Sequence, residues 1–287
     1  MSTDEFADRL TALRPRLHRY CARITGSTVL GEDALQDSLV KALSARAEGA
    51  RVDNLEAWLY RIAHNTSLDL LRSRSRHTIV PLTEDYEAAP MSELDITAVS
   101  FQTFLRLPEL QRCAVIIKDV LGHSIEEIAS IAGCTPAAAK SALQRGRSTL
   151  RQLAQMPMDT QLPLMSDAAR QKMIAFVELF RMGDFDAIRS MLADDVRLEL
   201  VNRLKWEGRE KIVPYFTRYA EETKWRFSFG AVEGRPAMLV FESGAMEKPA
   251  YFVLVDWRND QISAIRDFLF APYALESADW VRLGVDR

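Results

Sequence analysis

Residues 122–151, GHSIEEIASIAGCTPAAAKSALQRGRSTLR, read as two short helices joined by a tight turn. Ser124 and Glu127 form a Ser-x-x-Glu capping box: the hydroxyl accepts from the third helical amide and the carboxylate returns to the cap amide, so a helix starts at about Ile125. Ile125, Ile128, Ala129 and Ile131 give that helix an apolar face, and Gly133 supplies the left-handed residue that ends it. Thr135 caps the next helix, with Pro136 at the first position, where its missing N–H costs nothing. In this second helix Ala139, Leu143, Gly146 and Leu150 face inward at helical spacing. Lys140, Ser141, Gln144, Arg145, Arg147 and Ser148 are left on or near the outward face.

That outward face has the chemistry to read a DNA major groove. Arg and Lys donate to guanine or phosphate, Gln pairs bidentately with adenine, and Ser does either. No acidic residue lies between Glu127 and Asp159, so the second helix is locally cationic. An ordinary helical hairpin with a solvated basic face is the alternative. The turn chemistry, the basic second helix and the small residues near its start together favour a helix-turn-helix.

Composition sets wider bounds. A chain of 287 residues predicts about two domains. Hydrophobic content of 48% is enough for real cores. The net charge of −3 does not announce a nucleic-acid binder, so the basic residues must act by local clustering. Cys21, Cys113 and Cys134 lack metal-ligand spacing and, being odd in number, predict reduced thiols with no metal and no cofactor. No apolar run reaches the roughly 18 residues of a membrane span, and the N-terminus MSTDEFADRL is unlike a signal peptide, which predicts a soluble cytoplasmic protein.

Upstream of the helix-turn-helix, residues 4–25 predict an amphipathic helix with Phe6, Leu10, Leu13, Leu17 and Ile24 inward and Arg9, Arg14, Arg16, Arg19 and Arg23 outward. A second helix carries GEDALQDSLVKALSAR, with Ala34, Leu35, Leu39, Ala42 and Leu43 as its apolar stripe and Asp33, Gln36, Asp37 and Lys41 opposite. A third, NLEAWLYRIAHNTSLDLLRSRSR, is capped by Asn54 and buries Leu55, Leu59, Ile62, Ala63, Leu70 and Leu71. Its other side shows Trp58, Arg61, Asn65, Asp69 and Arg72, with Arg74 and Arg76 beyond. An aromatic interleaved with Arg and Asn suits melted DNA, where bases stack and cations track phosphates. Core packing beside Ile62 is the competing reading of Trp58, and His64 reads as a packed or surface residue. Residues 78–104 form an acidic linker, with Glu84, Asp85, Glu87, Glu93 and Asp95, no Lys or Arg before Arg106, and helix near its end. It reads as a solvated tether or as the occupant of a basic channel on a partner. From Leu107 a further helix runs to about Leu121.

The order of these features resembles the extracytoplasmic-function sigma factors, the smallest of the sigma-70 class. GEDALQDSLVKAL is similar to the family's acidic core-binding helix, WLYRIAHNTSLDLLRSRSR to its promoter-melting helix, and LPELQRCAVIIKDVLGHSIEEIASIAGCTPAAAKSALQRGRSTLR to its second helical domain. The resemblance spans about residues 5–153 and implies a promoter-specificity subunit. Asp33, Gln36 and Asp37 would dock on the β′ clamp helices of core RNA polymerase, the β flap being a further contact. Asn54, Trp58, Arg61, Asn65, Arg72 and Arg74 would engage the −10 element. Lys140, Ser141, Gln144 and Arg145 would enter the −35 element, with Arg147 and Arg151 nearer phosphate. Thr135–Ala139 departs from the Ser, Gly and β-branched residues that many relatives carry there, which affects which bases are read.

After a linker at 154–166, residues 167–287 predict two helices, a strand, a helix over GREKIVPYFTRYAEE and long strands broken by turn signals at Glu233-Gly234 and Asn259-Asp260. Helices followed by antiparallel strands imply an α+β domain. The order resembles the SnoaL-like branch of the NTF2-like cone fold over about residues 167–275. The chain is thus expected to be multidomain: residues 1–77 and 105–153 as two all-α sigma domains, the second a helix-turn-helix, then the α+β cone. Relatives of the cone include cyclases and isomerases that use His–Asp or Asp/Tyr arrangements. All four histidines here precede the domain, so His-based catalysis is excluded in it. Asp256 and Asp267 lie in apolar strand surroundings, where burial would raise a carboxyl pKa. The favoured reading is a regulatory domain for a small-molecule or protein signal, with Trp206, Trp225, Tyr251, Trp257 and Asp267 as its pocket lining. Two alternatives are a ligand-responsive regulator that acts without polymerase and a cyclase-type enzyme with a DNA-binding extension. Asn202–Trp206 stands where some fused relatives show an Asp followed by a glycine run.

Overall fold

The computed structural model describes residues 3–74, 101–155, 166–276 and 278–283, so most of the predicted acidic linker, Arg76 and nearly all of the second linker lie outside the described residues. The chain divides into two compact units, Met1–Asp159 and Thr160–Arg287.

The first unit is all helical. Helices α1 (Thr3–Thr25), α2 (Thr28–Ala47) and α3 (Leu55–Arg74) pack on one another. The linker's end supplies α4 (Phe101–Leu105), which buries Phe101 and Phe104. Then follow α5 (Glu109–Val115), a π-helical turn (Ile116–Val120), α6 (Ile125–Ala132) and α7 (Pro136–Gln155). One continuous hydrophobic core runs through all of it, from Phe6 on α1 to Leu153 on α7. Each large side chain fully removed from water there contributes about 1.5–3 kcal/mol.

Three helical expectations are corrected. Arg14 and Arg23, expected outside, are buried, because α1 is covered on more than one side and residues 20–26 are all buried. Arg14 is paired with the fully buried Glu32 of α2, and Arg23 lies over the Phe101 ring at 5.3 Å. Leu43, expected in the core, is 50% exposed beside Val40 at 62%, because Ala34, Leu35, Ser38 and Ala42 form the face of α2 that turns inward. The single helix expected to reach Leu121 gives way to the π-helical turn, in which the Leu121 N–H reaches the Ile116 carbonyl at 3.2 Å.

The second unit is α+β. Helices α8 (Asp167–Met182), α9 (Phe185–Ser190) and α10 (Arg209–Glu221) accompany a seven-stranded sheet of order β2-β1-β6-β5-β4-β3-β7. Its strands are β1 (Leu192–Leu200), β2 (Leu204–Glu207), β3 (Trp225–Val232), β4 (Arg235–Glu242), β5 (Tyr251–Arg258), β6 (Gln261–Asp267) and β7 (Trp280–Arg282). The predicted turns hold: Glu233, Gly234, Asn259 and Asp260 all take positive φ, the geometry of a tight hairpin turn. One pairing departs from the antiparallel expectation, since β1 and β6 run parallel. These two strands are not joined by a hairpin, and β2, α10 and the β3–β5 meander intervene between them. Helix α8 packs on β3 and β4 and α10 on β1 and β2, with Phe180, Tyr219 and Phe227 in mutual ring contact at 5.2–5.8 Å.

Candidate nucleic-acid interface

Local sequence builds the helix-turn-helix. The Glu127 N–H donates to Ser124 Oγ at 3.2 Å and the Ser124 N–H donates to Glu127 Oε2 at 2.8 Å. The backbone bond from Ser124 holds the Glu127 carboxyl below its usual range. Gly133 sits at φ 66°, ψ 36°, where any Cβ-bearing residue would be strained. The Ala138 N–H donates to Thr135 Oγ1 at 3.2 Å, capping α7. Gly146 lets α7 approach α5: a Cβ there would lie 2.8 Å from Val115 Cγ2 and 3.0 Å from the Gln111 carbonyl.

With Ala139, Ala142, Leu143, Gly146 and Leu150 buried, α7 exposes Lys140, Ser141, Gln144 and Arg145. Arg147 and Arg151 are half-buried. Arg147 is held by Asp119 of the π-helical turn through Nε–Oδ2 at 2.9 Å and Nη2–Oδ1 at 2.5 Å. Between α7 and the start of α6 lies an open groove of about 690 Å³, with Ile125, Pro136 and Ala137 beside Lys140, Gln144 and Arg151. Its lining sets the donors Lys140, Gln144 and Arg151 beside apolar side chains, with the Glu126 carboxylate at the α6 end, and the apolar part can meet a thymine methyl.

Helix α3 carries a second stripe. Asn54 Oδ1 accepts from the Ala57 N–H at 3.0 Å, and Arg61, Asn65, Arg72 and Arg74 are exposed. Trp58 is half-buried against the core, so its ring is partly structural. Arg72 meets Glu109 of α5 at 3.4 Å and Asp69 at 3.7 Å. On α2, Asp37 is exposed, Asp33 and Gln36 are half-buried, and the Gln36 amide donates to Glu32 at 3.3 Å.

Several residues that shape this surface carried no sequence signal of their own. Asp119, Glu109 and His123 act through partners distant in sequence. His123 is buried, edge-on to Tyr60 at 5.0 Å, with Glu127 Oε1 at 3.3 Å and Glu56 Oε1 at 3.7 Å. Tyr20 Oη is hydrogen-bonded to His64 Nδ1 at 2.8 Å and lies 3.6 Å from Cys113 Sγ. Burial lowers the His64 pKa to about 4 and pushes the Cys21 and Cys113 thiols up to about 12, which keeps them protonated and unreactive.

In the second unit the expected pocket residues only partly meet. Trp225 is edge-on to Tyr251 at 5.1 Å, and Tyr251 Oη lies 2.7 Å from Tyr219 Oη. The hydroxyls of Tyr219 and Tyr215 donate to Asp267 Oδ2 at 2.7 and 3.0 Å, and the Leu269 N–H donates to Oδ1 at 2.8 Å. Burial raises the Asp267 pKa to about 6 against these three donors. Trp206 is half-buried on edge strand β2, and Trp257 is half-buried on β5 with the Lys172 ammonium 5.8 Å from its ring centre. Asp256 departs from its expected apolar setting: it is exposed and paired with Arg235 at 3.0 Å, because its side chain leaves the strand on the solvent side. Among the described residues no helix is long and apolar enough to cross a membrane, and no cluster of three or more His, Cys, Asp or Glu is grouped to hold a metal ion.

Residues 10–77 match the family described as Sigma-70 region 2, and residues 102–150 match Sigma-70, region 4. The chain is 35% identical over 140 residues to the ECF RNA polymerase sigma factor SigM of Mycobacterium tuberculosis (strain ATCC 25618 / H37Rv), an alignment covering 48% of this chain and 71% of that one. It is 25% identical over 300 residues to the ECF RNA polymerase sigma factor SigG of the same strain, covering 92% and 81%. The crystal structure of the M. tuberculosis extracytoplasmic function sigma factor SigJ aligns at 18% identity over 94% of this chain and 100% of that one, with a TM-score of 0.37.

Proposed function

Because the chain belongs to the extracytoplasmic-function sigma factors of RNA polymerase, we propose that its two exposed stripes divide promoter recognition between them. Lys140, Ser141, Gln144 and Arg145 on α7 read base edges of the −35 element, while Arg151 and, in part, Arg147 meet phosphates. Asn54, Arg61, Asn65, Arg72 and Arg74 hold the melted −10 strand, with Trp58 offering the edge of its ring. Asp33, Gln36 and Asp37 dock on the clamp helices of β′, and the helix-turn-helix domain meets the β flap. Residues 1–77 and 105–153 act as the two sigma domains, joined by the acidic linker, and the protein works in the cytoplasm beside core polymerase.

One observation carries this reading. Lys140, Ser141, Gln144 and Arg145 stand exposed on a helix whose opposite side is buried, in a unit that also exposes Arg61, Asn65 and Arg72. Permanganate footprinting tests it: with core polymerase and a cognate promoter, thymines near −10 become reactive, and Arg61→Ala with Asn65→Ala removes that reactivity while −35 protection stays. Retained melting in the double variant counts against the −10 assignment.

Residues 167–287 modulate sigma activity in response to a small molecule or a protein and carry no catalysis. Two features support a binding role over a chemical one. Asp256 is exposed and ion-paired, and Asp267 has both carboxylate oxygens occupied by donors. Tyr251 joins that network through the Tyr219 hydroxyl and meets Trp225 edge-on, while Trp206 stands on β2 and Trp257 farther along β5.

A further inference from the structure

We infer that the α+β unit carries a one-proton switch: when Asp267 takes up or releases a proton, the hydrogen-bond chain through Tyr219 to Tyr251, beside the half-buried ring of Trp225, reverses its direction. The inference goes beyond the function proposed above and does not depend on it.

Asp267 ends β6 fully sealed from water. Its neighbours in the sheet are apolar, Leu200 of β1 on one side and Val253 of β5 on the other. Helix α10 lays Tyr215 and Tyr219, one turn apart, against it. All three of its donors are neutral: the hydroxyls of Tyr215 and Tyr219 on Oδ2 and the Leu269 N–H on Oδ1. Among the described residues no Lys or Arg is paired with it. Hydrogen bonds alone therefore stabilise the ionised carboxylate, and burial outweighs them, lifting its pKa to about 6. Burial foremost, with the Asp267 charge adding to it and exposed Glu222 acting on Tyr251, holds all three tyrosines well above their ordinary range. The tyrosines keep their protons throughout the neutral range, so the proton that comes and goes belongs to Asp267.

The geometry says what that proton does. With Asp267 charged, Oδ2 accepts from both tyrosines, so the proton of Tyr219 is committed and Tyr251 donates across the 2.7 Å between their hydroxyls. A proton taken from solvent settles on Oδ2, because Oδ1 faces an amide that can only donate. Two donors then meet at 2.7 Å, and one must turn. Tyr219 has a second acceptor in Tyr251 Oη. It turns its proton there and accepts from Asp267, and Tyr251 turns its own proton away from Tyr219, beside Trp225, whose ring meets it edge-on at 5.1 Å. One proton is gained, each tyrosine keeps its own, and the free donor passes from the buried carboxylate to the aromatic pair.

The full chain, titrated between about pH 5 and pH 7.5, gives two readouts: infrared absorption of a protonated carboxyl, and the indole N–H resonance of Trp225, identified by its loss in Trp225→Phe. A carboxyl band that Asp267→Asn lacks should appear with a midpoint near 6, and the Trp225 resonance should move with the same midpoint. Tyr219→Phe removes the relaying hydroxyl, so the carboxyl should still titrate while the Trp225 shift is lost; Tyr215→Phe should keep both. Asp267→Asn, whose amide donates as the protonated acid does, should hold the resonance at its acid position at every pH. The inference is overturned if no Asp267 band appears in this range, or if the Trp225 shift survives Tyr219→Phe. Should Tyr219→Phe not fold, Asp267→Asn decides, and a Trp225 resonance that still moves with the original midpoint overturns the switch.

Discussion

Arg147 on α7 and Asp119 in the turn before the helix-turn-helix form a two-point ion pair, Nε–Oδ2 at 2.9 Å and Nη2–Oδ1 at 2.5 Å. The pair ties α7 to the end of the preceding helix, and it occupies two of the donors a phosphate would otherwise use. The proposed promoter reading therefore gives Arg147 and Arg145, two residues apart, different tasks.

Arg145→Ala should weaken binding of the polymerase complex to its cognate promoter by about 1–3 kcal/mol and relax preference at one base pair. Arg147→Ala should instead lower the stability of the first unit by about 1 kcal/mol, a modest figure because its side chain is 38% exposed, with little change in base preference. Competition binding across a library of single-base promoter variants, alongside thermal melting, distinguishes the two. Equal losses on every sequence for Arg145→Ala would reduce it to a phosphate contact.

Gly146→Ala should separate α7 from α5, since the added methyl meets Val115 and the Gln111 carbonyl at 3.0 Å or less. Overpacking of this kind costs about 1–3 kcal/mol. The expected result is a lower melting temperature together with weaker −35 protection; an unchanged melt would mean the helices part freely.

Acid should act on the two units with opposite sign. The folded-state pKa of His64 is lowered to about 4 from an ordinary 6.5 by burial, so the unfolded chain binds its proton more tightly. The stability contributed by neutral His64 is therefore present above pH 6.5 and is lost as pH falls toward 4, up to about 3 kcal/mol. Asp267 behaves the other way, its folded pKa being raised to about 6 from 3.8. Stability from its protonated form is present below about pH 3.8 and lost as pH rises through 6, again about 3 kcal/mol at the limit. Hydrogen exchange resolved by segment, at pH 7 and pH 5, should show α3 and α5 losing protection while β5 and β6 gain it. His64→Asn should flatten the first trend and Asp267→Asn the second.

The helix-turn-helix was legible because its signals are local. Ser124, Glu127, Gly133, Thr135 and Pro136 each act within four residues, and each sits where spacing puts it. The hairpin turns at Glu233-Gly234 and Asn259-Asp260 were legible for the same reason. What escaped depends on neighbours distant in sequence. Arg14 reads as a surface cation until Glu32 is brought against it, and Leu43 reads as core until Ala34 and Ala42 are seen to make the packed face of α2. Asp256 and Asp267 sit in similar apolar strand contexts, yet one is paired at the surface and the other is sealed under Tyr215 and Tyr219. Alternation along a strand does not say which face a helix will cover. The contacts of Tyr20 with Cys113, of Tyr60 with His123 and of Arg72 with Glu109 had no signature either, because they join residues up to 93 apart.

The most direct test of the central claim is run-off transcription from a selected promoter by core RNA polymerase supplied with the full chain. Transcripts that start at one site, depend on the added chain and vanish when either the −10 or the −35 element is scrambled are the predicted result. Specific DNA binding without polymerase and no transcript with it would contradict the account and make the protein a regulator of another kind.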